Sequence, residues 1–225
     1  MSFLGSVLAI FMKDVAIELR SFEILFSTAL FALLVVVLSA FAFGLGASPG
    51  PGASAGALWI AIAFSGVLAL GRTFVREREL GVWTALIMTP APRSAVFLGK
   101  VLGVAAFLTA VELVLVPIVQ LFFHVALIEN LLSIGLVLVL GTAGYAAVGT
   151  LFAAMTVRSR LSDLLLGVII FPLVSPILIA AVMSTEALLR GAGLGSVRDY
   201  VGLLVTLDAI YIVGGLWLFD PLMED

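Results

Sequence analysis

The sequence predicts an all-α integral membrane protein with six transmembrane helices and a single domain over residues 1–225. Composition is the first reason: 63% of the residues are hydrophobic, 11% are charged, and the mean hydropathy is +1.32. Soluble domains are about 45–50% apolar and about 25% charged. The second reason is distribution, because the charged residues are concentrated in a few segments that separate long apolar stretches.

Six apolar stretches have the length that a membrane requires. An α-helix rises 1.5 Å per residue, so about 20 residues cross the roughly 30 Å hydrocarbon core. Only the second stretch, with 17 residues, is at the lower limit. The stretches are 24–44, 55–71, 101–123, 131–155, 164–183 and 201–219.

The basic residues predict the orientation of the chain. With the N-terminus placed in the cytoplasm, the outer loops contain only Arg190 and Arg198. The inner segments contain the other nine: Lys13, Arg20, Arg72, Arg76, Arg78, Arg93, Lys100, Arg158 and Arg160. Cytoplasmic loops of membrane proteins are enriched in Lys and Arg. The sequence therefore predicts that both termini are cytoplasmic.

Residues 1–23 have the pattern of an interfacial helix. Their apolar residues recur every three or four positions, with Lys13 and Arg20 on the opposite side. Asp14 and Glu18 interrupt this stripe, so we expect a basic partner from another segment. A solvated lead-in to the first span is the alternative interpretation. The apolar stripe consists of Phe3, Leu4, Val7, Leu8, Phe11, Val15, Leu19 and Phe22.

Two spans and one loop have distinctive patterns. The fourth span is rich in Gly and Ala, which permit close helix approach, so we place it inside the bundle. The fifth contains Pro172 and Pro176, which predict a bent or locally unwound helix whose freed carbonyls need partners. The outer connection 184–200 contains several glycines and predicts a short surface helix broken by them.

The segment 72–100 contains five of the eleven basic residues and joins the second and third spans. It predicts a short amphipathic helix from Phe74 to Met88, which Pro90 and Pro92 would end. Such a helix suits docking into a cleft of a soluble partner. A charged connector lying on the membrane surface is the alternative.

Three residues within or at the ends of spans are candidates for chemistry. Glu112 and Asp208 are intramembrane acids, which are costly enough to suggest transport or gating. Either acid could instead be protonated or paired for structural reasons. His124 ends the third span, where imidazole could ligate a metal or haem iron. Because the sequence has no second histidine, the competing interpretation is a simple boundary residue.

Several function classes lack their required parts in this sequence. There is no cysteine, so disulfides, thiolate catalysis and Cys-ligated metals are excluded. No H-E-x-x-H or G-x-S-x-G pattern supports an intramembrane hydrolase, and small net charge gives no reason to expect nucleic acid. Without G-x-x-x-x-G-K-[ST], the chain has no P-loop for ATP hydrolysis. We therefore expect no catalytic residue, resident cofactor or metal.

Sequence runs across most of the chain resemble the haem exporter B family, the permease subunit of cytochrome c maturation and a membrane subunit of the ABC-2-like group. The loop contains the main ones: RERELG at 76–81, LIMTPAPRS at 86–94 and LGKVLG at 98–103. Further matches are Glu18-Leu19-Arg20, Trp59, GVLAL at 66–70, Glu112-Leu113 with Pro117, LGTAG at 140–144, and Pro172-Leu173 with PILI at 176–179.

The resemblance implies a bacterial inner-membrane subunit that works with a separate cytoplasmic ATP-binding-cassette ATPase. It also implies haem-handling membrane subunits, a periplasmic haem chaperone and a second copy of the chain as partners. ATP hydrolysis in the partner would drive haem export or release of haem-loaded chaperone. The loop would supply a coupling helix through these residues: Arg76, Glu77, Arg78, Glu79, Gly81, Pro90 and Arg93.

Two alternatives to the haem exporter remain open from the sequence. One is an ABC-2-type permease that exports a lipid, a drug or a polysaccharide. The other is a membrane scaffold that transports nothing. A haem-dependent phenotype would separate the first from a haem exporter, and an effect of loop mutations on partner ATPase activity would exclude the second.

Overall fold

The computed structural model describes residues 2–44, 50–79, 92–156 and 162–222. Within these ranges the chain is helical and contains no strand. One turn of 3-10 helix, Leu194–Val197, precedes the last helix. The α-helices are α1 (Phe3–Ser21), α2 (Glu23–Gly44), α3 (Pro51–Glu79), α4 (Arg93–Phe123), α5 (Leu131–Thr156), α6 (Ser162–Leu189) and α7 (Arg198–Leu222).

Helices α2 to α7 supply six segments that are long and apolar enough to cross a membrane, which confirms the predicted number of spans. We call the end of the bundle where α4 begins the Arg93 end, and the end where α4 finishes the His124 end. Helices α3 and α5 run in the same direction, because Trp59 lies against Gly141 and Leu70 lies against Gly149. The segments are Ile24–Phe43, Pro51–Gly71, Arg93–Phe123, Leu131–Met155, Ile170–Leu189 and Leu194–Phe219.

Helix α3 is much longer than the stretch predicted from hydropathy. It spans 29 residues and continues without a break to Glu79. Arg and Glu are good helix formers, so charge ends the apolar segment without ending the helix. The expected separate helix start at Phe74 is therefore wrong. The remainder of that predicted helix, 80–88, lies outside the described residues.

Helix α1 packs along the first half of α4. The Ser2 hydroxyl caps α1 by accepting a hydrogen bond from the Gly5 N–H at 3.2 Å. Its inner face buries Val7 and Ile10. The opposite face exposes Leu4, Leu8 and Met12 one turn apart, an apolar surface that suits lipid. That this helix lies at the membrane interface stays a prediction.

Helix α5 lies inside the bundle, as its small residues predicted. It packs against α3, α4, α6 and α7, and every residue from Gly144 to Leu151 is buried. Glycines make these contacts close, because a Cβ at Gly141 would overlap the Trp59 ring and one at Gly149 would overlap Leu70. Small residues thus place the backbone of α5 directly against large side chains of α3.

The two prolines of α6 are accommodated within an unbroken helix. Residues 162–189 remain α-helical, so the predicted local unwinding is not found. The Pro172 carbonyl, which loses its usual donor at Pro176, accepts a hydrogen bond from the Ser175 hydroxyl at 2.8 Å. The Tyr211 hydroxyl of α7 donates to the Leu173 carbonyl at 2.8 Å. The Ser175 hydroxyl therefore supplies the partner that the freed Pro172 carbonyl needs, and the Tyr211 hydrogen bond adds a contact between α6 and α7.

The connection at the His124 end is more compact than predicted. Helix α6 continues to Leu189, and Gly191, with φ of 85°, takes the left-handed conformation that glycine tolerates at a helix end. The expected surface helix is reduced to the single 3-10 turn. Val197 of that turn and Leu188 are buried, so the turn closes this end of the core.

Candidate functional site

Glu112 of α4 is paired with Thr142 of α5 inside the bundle. The Thr142 hydroxyl donates a hydrogen bond to Glu112 Oε1, and both residues are buried. Glu112 belongs to the inward stripe of α4 together with Leu108 and Leu115, at helical spacing. The acid therefore faces another helix and not lipid. An unpaired carboxyl exposed to lipid would cost free energy.

Asp208 of α7 lies against the backbone of α5. It is buried in line with Leu204 on the inward face of α7. A Cβ at Gly144 would overlap Asp208 Oδ1 and crowd Ile177, so only glycine leaves room for the carboxyl. Within the part of the chain that the structure describes, Asp208 Oδ1 has no hydrogen-bond partner. Buried polar atoms are usually satisfied, which makes Asp208 the outstanding exception in this site.

The two acids flank α5 at the same depth. Their contact residues on α5, Thr142 and Gly144, are two positions apart, which is about 3 Å along the helix axis and about 200° around it. Glu112 and Asp208 therefore approach α5 from different sides. We call Glu112, Thr142, Gly144 and Asp208 the acid layer. An intramembrane layer of this kind can exchange protons or respond to displacement of the helix between its acids.

A second polar contact joins α3 to α6. The Trp59 indole N–H donates to the Thr185 hydroxyl at 3.0 Å, and both residues are buried. Nearer the middle of α3, the Tyr145 hydroxyl of α5 donates to the Ala63 carbonyl at 2.7 Å. No sequence pattern assigns a site role to Trp59, Thr142, Tyr145 or Thr185. These residues contact partners far away in the sequence, so no periodic pattern reveals them. Trp59 and Thr142 do belong to the sequence runs that resemble the family.

An ion pair lies at the Arg93 end. Lys100 of α4 is only 1% exposed, and its ammonium is 2.9 Å from Asp14 Oδ2 of α1. Lys13 is 2.9 Å from Asp14 Oδ1. The basic partner expected for Asp14 is thus Lys100. Glu18 has a different role, because its Oε1 accepts a hydrogen bond from the Leu25 N–H at 2.7 Å in the first turn of α2.

The predicted coupling residues are only partly within the described structure. The backbone of Arg76 to Glu79 forms the end of α3. Arg93 is the first residue of α4 and is half-buried. Gly81 and Pro90 lie outside the described residues. Helices α3 and α4 therefore both reach the Arg93 end and flank the loop, while the coupling role of its residues stays a prediction.

His124 is an exposed residue at the end of α4. Its φ of 54° is left-handed, a conformation that ends helices. Across residues 2–44, 50–79, 92–156 and 162–222, no group of three or more His, Asp or Glu residues is placed to hold a metal ion. His124 thus marks the end of α4, and a ligand role for it stays a prediction.

One known protein family matches most of the chain. The family model described as CcmB protein matches residues 5–218. The chain belongs to the CcmB family. This match includes the first five spans, the sixth up to residue 218, the acid layer and the loop between α3 and α4.

Relatives support the CcmB assignment along the same length. The chain is 28% identical to Heme exporter protein B of Haemophilus influenzae over 206 residues, which cover 91% of this chain and 90% of the relative. It is 28% identical to the protein of that name from Bradyrhizobium diazoefficiens over 185 residues, covering 81% and 82% of the two chains. The Rhodobacter capsulatus protein is 31% identical over 163 residues, covering 72% of each chain.

Proposed function

We propose that this CcmB-family chain is the membrane subunit of a haem exporter. The observation that supports this most is the CcmB match over residues 5–218, which covers five of the six apolar segments in full and all but the last residue of the sixth. The relatives that match most of the chain carry the name Heme exporter protein B. Haem, or a haem-loaded carrier, is then the substrate of the complex.

ATP hydrolysis takes place in a separate cytoplasmic ATPase of the ATP-binding-cassette type. The sequence of this chain contains no P-loop pattern, so it uses ATP only through a partner. The loop 72–100 is the docking site for this partner, and Glu77, Glu79 and Gly81 contact its cleft, with Arg76, Arg78, Pro90 and Arg93 beside them. Its position supports this role, because α3 and α4 bring its two sides to the Arg93 end.

The acid layer is the part of the bundle that responds to the ATPase. Glu112 projects from α4, the helix that follows the loop, and Thr142 and Gly144 lie on α5, which contacts four other spans. A displacement of α4 relative to α5 therefore changes the Glu112–Thr142 contact. Such a change drives haem export or release of haem-loaded chaperone on the opposite side of the membrane.

The surroundings of the chain follow from this role. The Arg93 end faces the cytoplasm, in keeping with its basic residues, and the His124 end faces the periplasm. The chain lies in the bacterial inner membrane with both termini cytoplasmic. Its partners are the ATPase, haem-handling membrane subunits, a haem chaperone and a second copy of itself.

Purification in mild detergent tests the proposed function. The tagged chain is purified from its native membrane, and the co-purifying material is assayed for ATPase activity and haem absorbance. We expect both to be recovered, and both to be absent when an unrelated six-helix membrane protein carries the tag. Recovery of an ATPase with a bound lipid or drug and no haem would contradict the proposed substrate. Recovery of no ATPase would contradict the transporter role itself.

A further inference from the structure

We propose that the Asp14–Lys100 ion pair makes α1 move as one body with the beginning of α4, so that α1 passes the motion of the loop on to α2. This inference rests on the proposed function, because it matters only if an ATPase moves the loop 72–100. Asp14 and Lys100 are then positioning residues, and α1 transmits motion from α4 to α2.

The contact between α1 and α4 is close and specific. The Lys100 ammonium reaches both oxygens of Asp14, at 3.2 Å to Oδ1 and 2.9 Å to Oδ2. Glycines of α4 lie on either side of this pair: a Cβ at Gly99 would be 2.8 Å from Ile10 Cβ, and one at Gly103 would be 3.3 Å from Asp14 Oδ2. The two helices therefore approach closely at Gly99 and Gly103, where α4 has no side chain between them.

The burial of Lys100 makes this contact hard to break by sliding. Lys100 is 1% exposed, whereas the Asp14 side chain is 14% exposed. Separating a buried ammonium from its carboxylate in a low-dielectric region costs free energy. Separation of α1 from α4 is therefore penalised, and the two helices are favoured to move together.

The other end of α1 is attached to α2. Glu18 Oε1 accepts the Leu25 N–H at 2.7 Å, which satisfies a donor in the first turn of α2. Only Phe22, with φ of 50°, separates α1 from α2. Because α4 is helical without interruption from Arg93 to Lys100, a push at the start of α4 reaches Asp14 directly. The path of contacts then runs from α4 through α1 to the start of α2.

A reversible disulfide can test this path. The chain contains no cysteine, so introduced thiols have no competing partners. A Cβ at Gly103 would lie 3.4 Å from Asp14 Cβ. This separation is close to the range of about 3.5–4.5 Å in natural disulfides. The test variant combines Asp14→Cys and Gly103→Cys with Lys100→Met, which removes the ammonium that pairs with Asp14 in the wild type.

The measurement is haem-loaded chaperone released per ATP hydrolysed by the purified complex, with the variant first reduced and then oxidised. In the reduced form we expect wild-type ATPase binding but about 5- to 150-fold less release per ATP, the range of typical coupling energies. Oxidation should restore release. Because one preparation supplies both states, misfolding of the variant cannot produce the difference.

Two control variants isolate the effect of the ion pair. Gly103→Cys alone should give the same release per ATP before and after oxidation. Glu186→Gln removes an exposed pair with Arg190 at the His124 end and should behave as wild type. Equal release in the reduced and oxidised forms of the test variant would overturn the inference, whether that release were high or low. A wild-type chain that bound no ATPase would overturn the proposed function and the inference together.

Discussion

Gly144 of α5 leaves the space that the Asp208 carboxyl of α7 occupies. A Cβ at position 144 would overlap Asp208 Oδ1 and would lie 2.8 Å from Ile177 Cδ1. The absence of one side chain thus allows an acid of the last span to reach the backbone of the central helix. This contact gives the acid layer its asymmetry, because Glu112 has a hydroxyl partner and Asp208 Oδ1 has none among the described residues.

Substitution of Gly144 should therefore destabilise the bundle. Gly144→Ala forces Asp208 or Ile177 to shift, and overpacking of this kind costs about 1–3 kcal/mol. Thermal unfolding in detergent measures the loss. Gly135→Ala on the same helix is the matched control, since a Cβ there would have no atom within 4 Å apart from its chain neighbours and the backbone of its own helix. Equal unfolding temperatures for the two variants would contradict the close packing of Asp208 on Gly144.

The hydroxyl of Thr142 should contribute to stability through Glu112. Thr142→Val keeps the shape of the side chain and removes the donor, leaving a buried carboxyl oxygen unpaired at about 1–3 kcal/mol. The control is Thr206→Val, because the Thr206 hydroxyl is exposed and donates to the Gly202 carbonyl of its own helix. The same unfolding measurement applies. A Thr142→Val protein as stable as Thr206→Val would show that the Glu112 contact is dispensable.

The two acids should matter for function more than for folding. Glu112→Gln retains an acceptor for Thr142, and Asp208→Asn has nearly the same volume, so both variants should accumulate in the membrane. If the acid layer takes part in gating, cytochrome c maturation should fall in both, as measured by haem staining. Asp199→Asn, at an exposed position in the first turn of α7, should mature cytochrome c normally. Full maturation in both acid variants would indicate a structural role.

Single cysteines can test the orientation of the helices. Cysteines that replace Ser48, Ser133 or Ser196 should react with an impermeant thiol reagent added from outside. Cysteines that replace Ser94 or Ser159 should react only from the cytoplasmic side. The sequence has no native cysteine to confuse the result. Outside labelling at Ser94 would overturn the proposed orientation.

The number of spans could be predicted from sequence because hydropathy is a local property. Six apolar stretches correspond to six helices, and the small residues of the fourth placed it correctly inside the bundle. Boundaries were less predictable where charge and helix propensity disagree. Residues after Gly71 end the apolar stretch but continue α3 as far as Glu79, since arginine and glutamate favour a helix in water as well.

The contacts of the site could be predicted less well, because they join distant parts of the chain. The pattern of α1 indicated that Asp14 needs a basic partner, but nothing in it points to Lys100, 86 residues away. Glu112 and Asp208 were identified as candidates because an ionisable side chain inside a membrane costs free energy. That both acids contact α5 depends on how three helices pack. The roles of Thr142 and Gly144 in these contacts become visible only in the assembled bundle.

The most direct test of the coupling role of the loop is the c-type cytochrome content of cells that lack this chain and carry either the wild type or a loop variant. Gly81→Trp should obstruct packing in the cleft of the ATPase, and Glu77→Lys should reverse a charge that a basic cleft needs. We predict full haem staining with the wild type and a reduction of about 5- to 150-fold with either variant, although each inserts normally. Wild-type staining with both variants would contradict the proposal that the loop couples this chain to an ATPase.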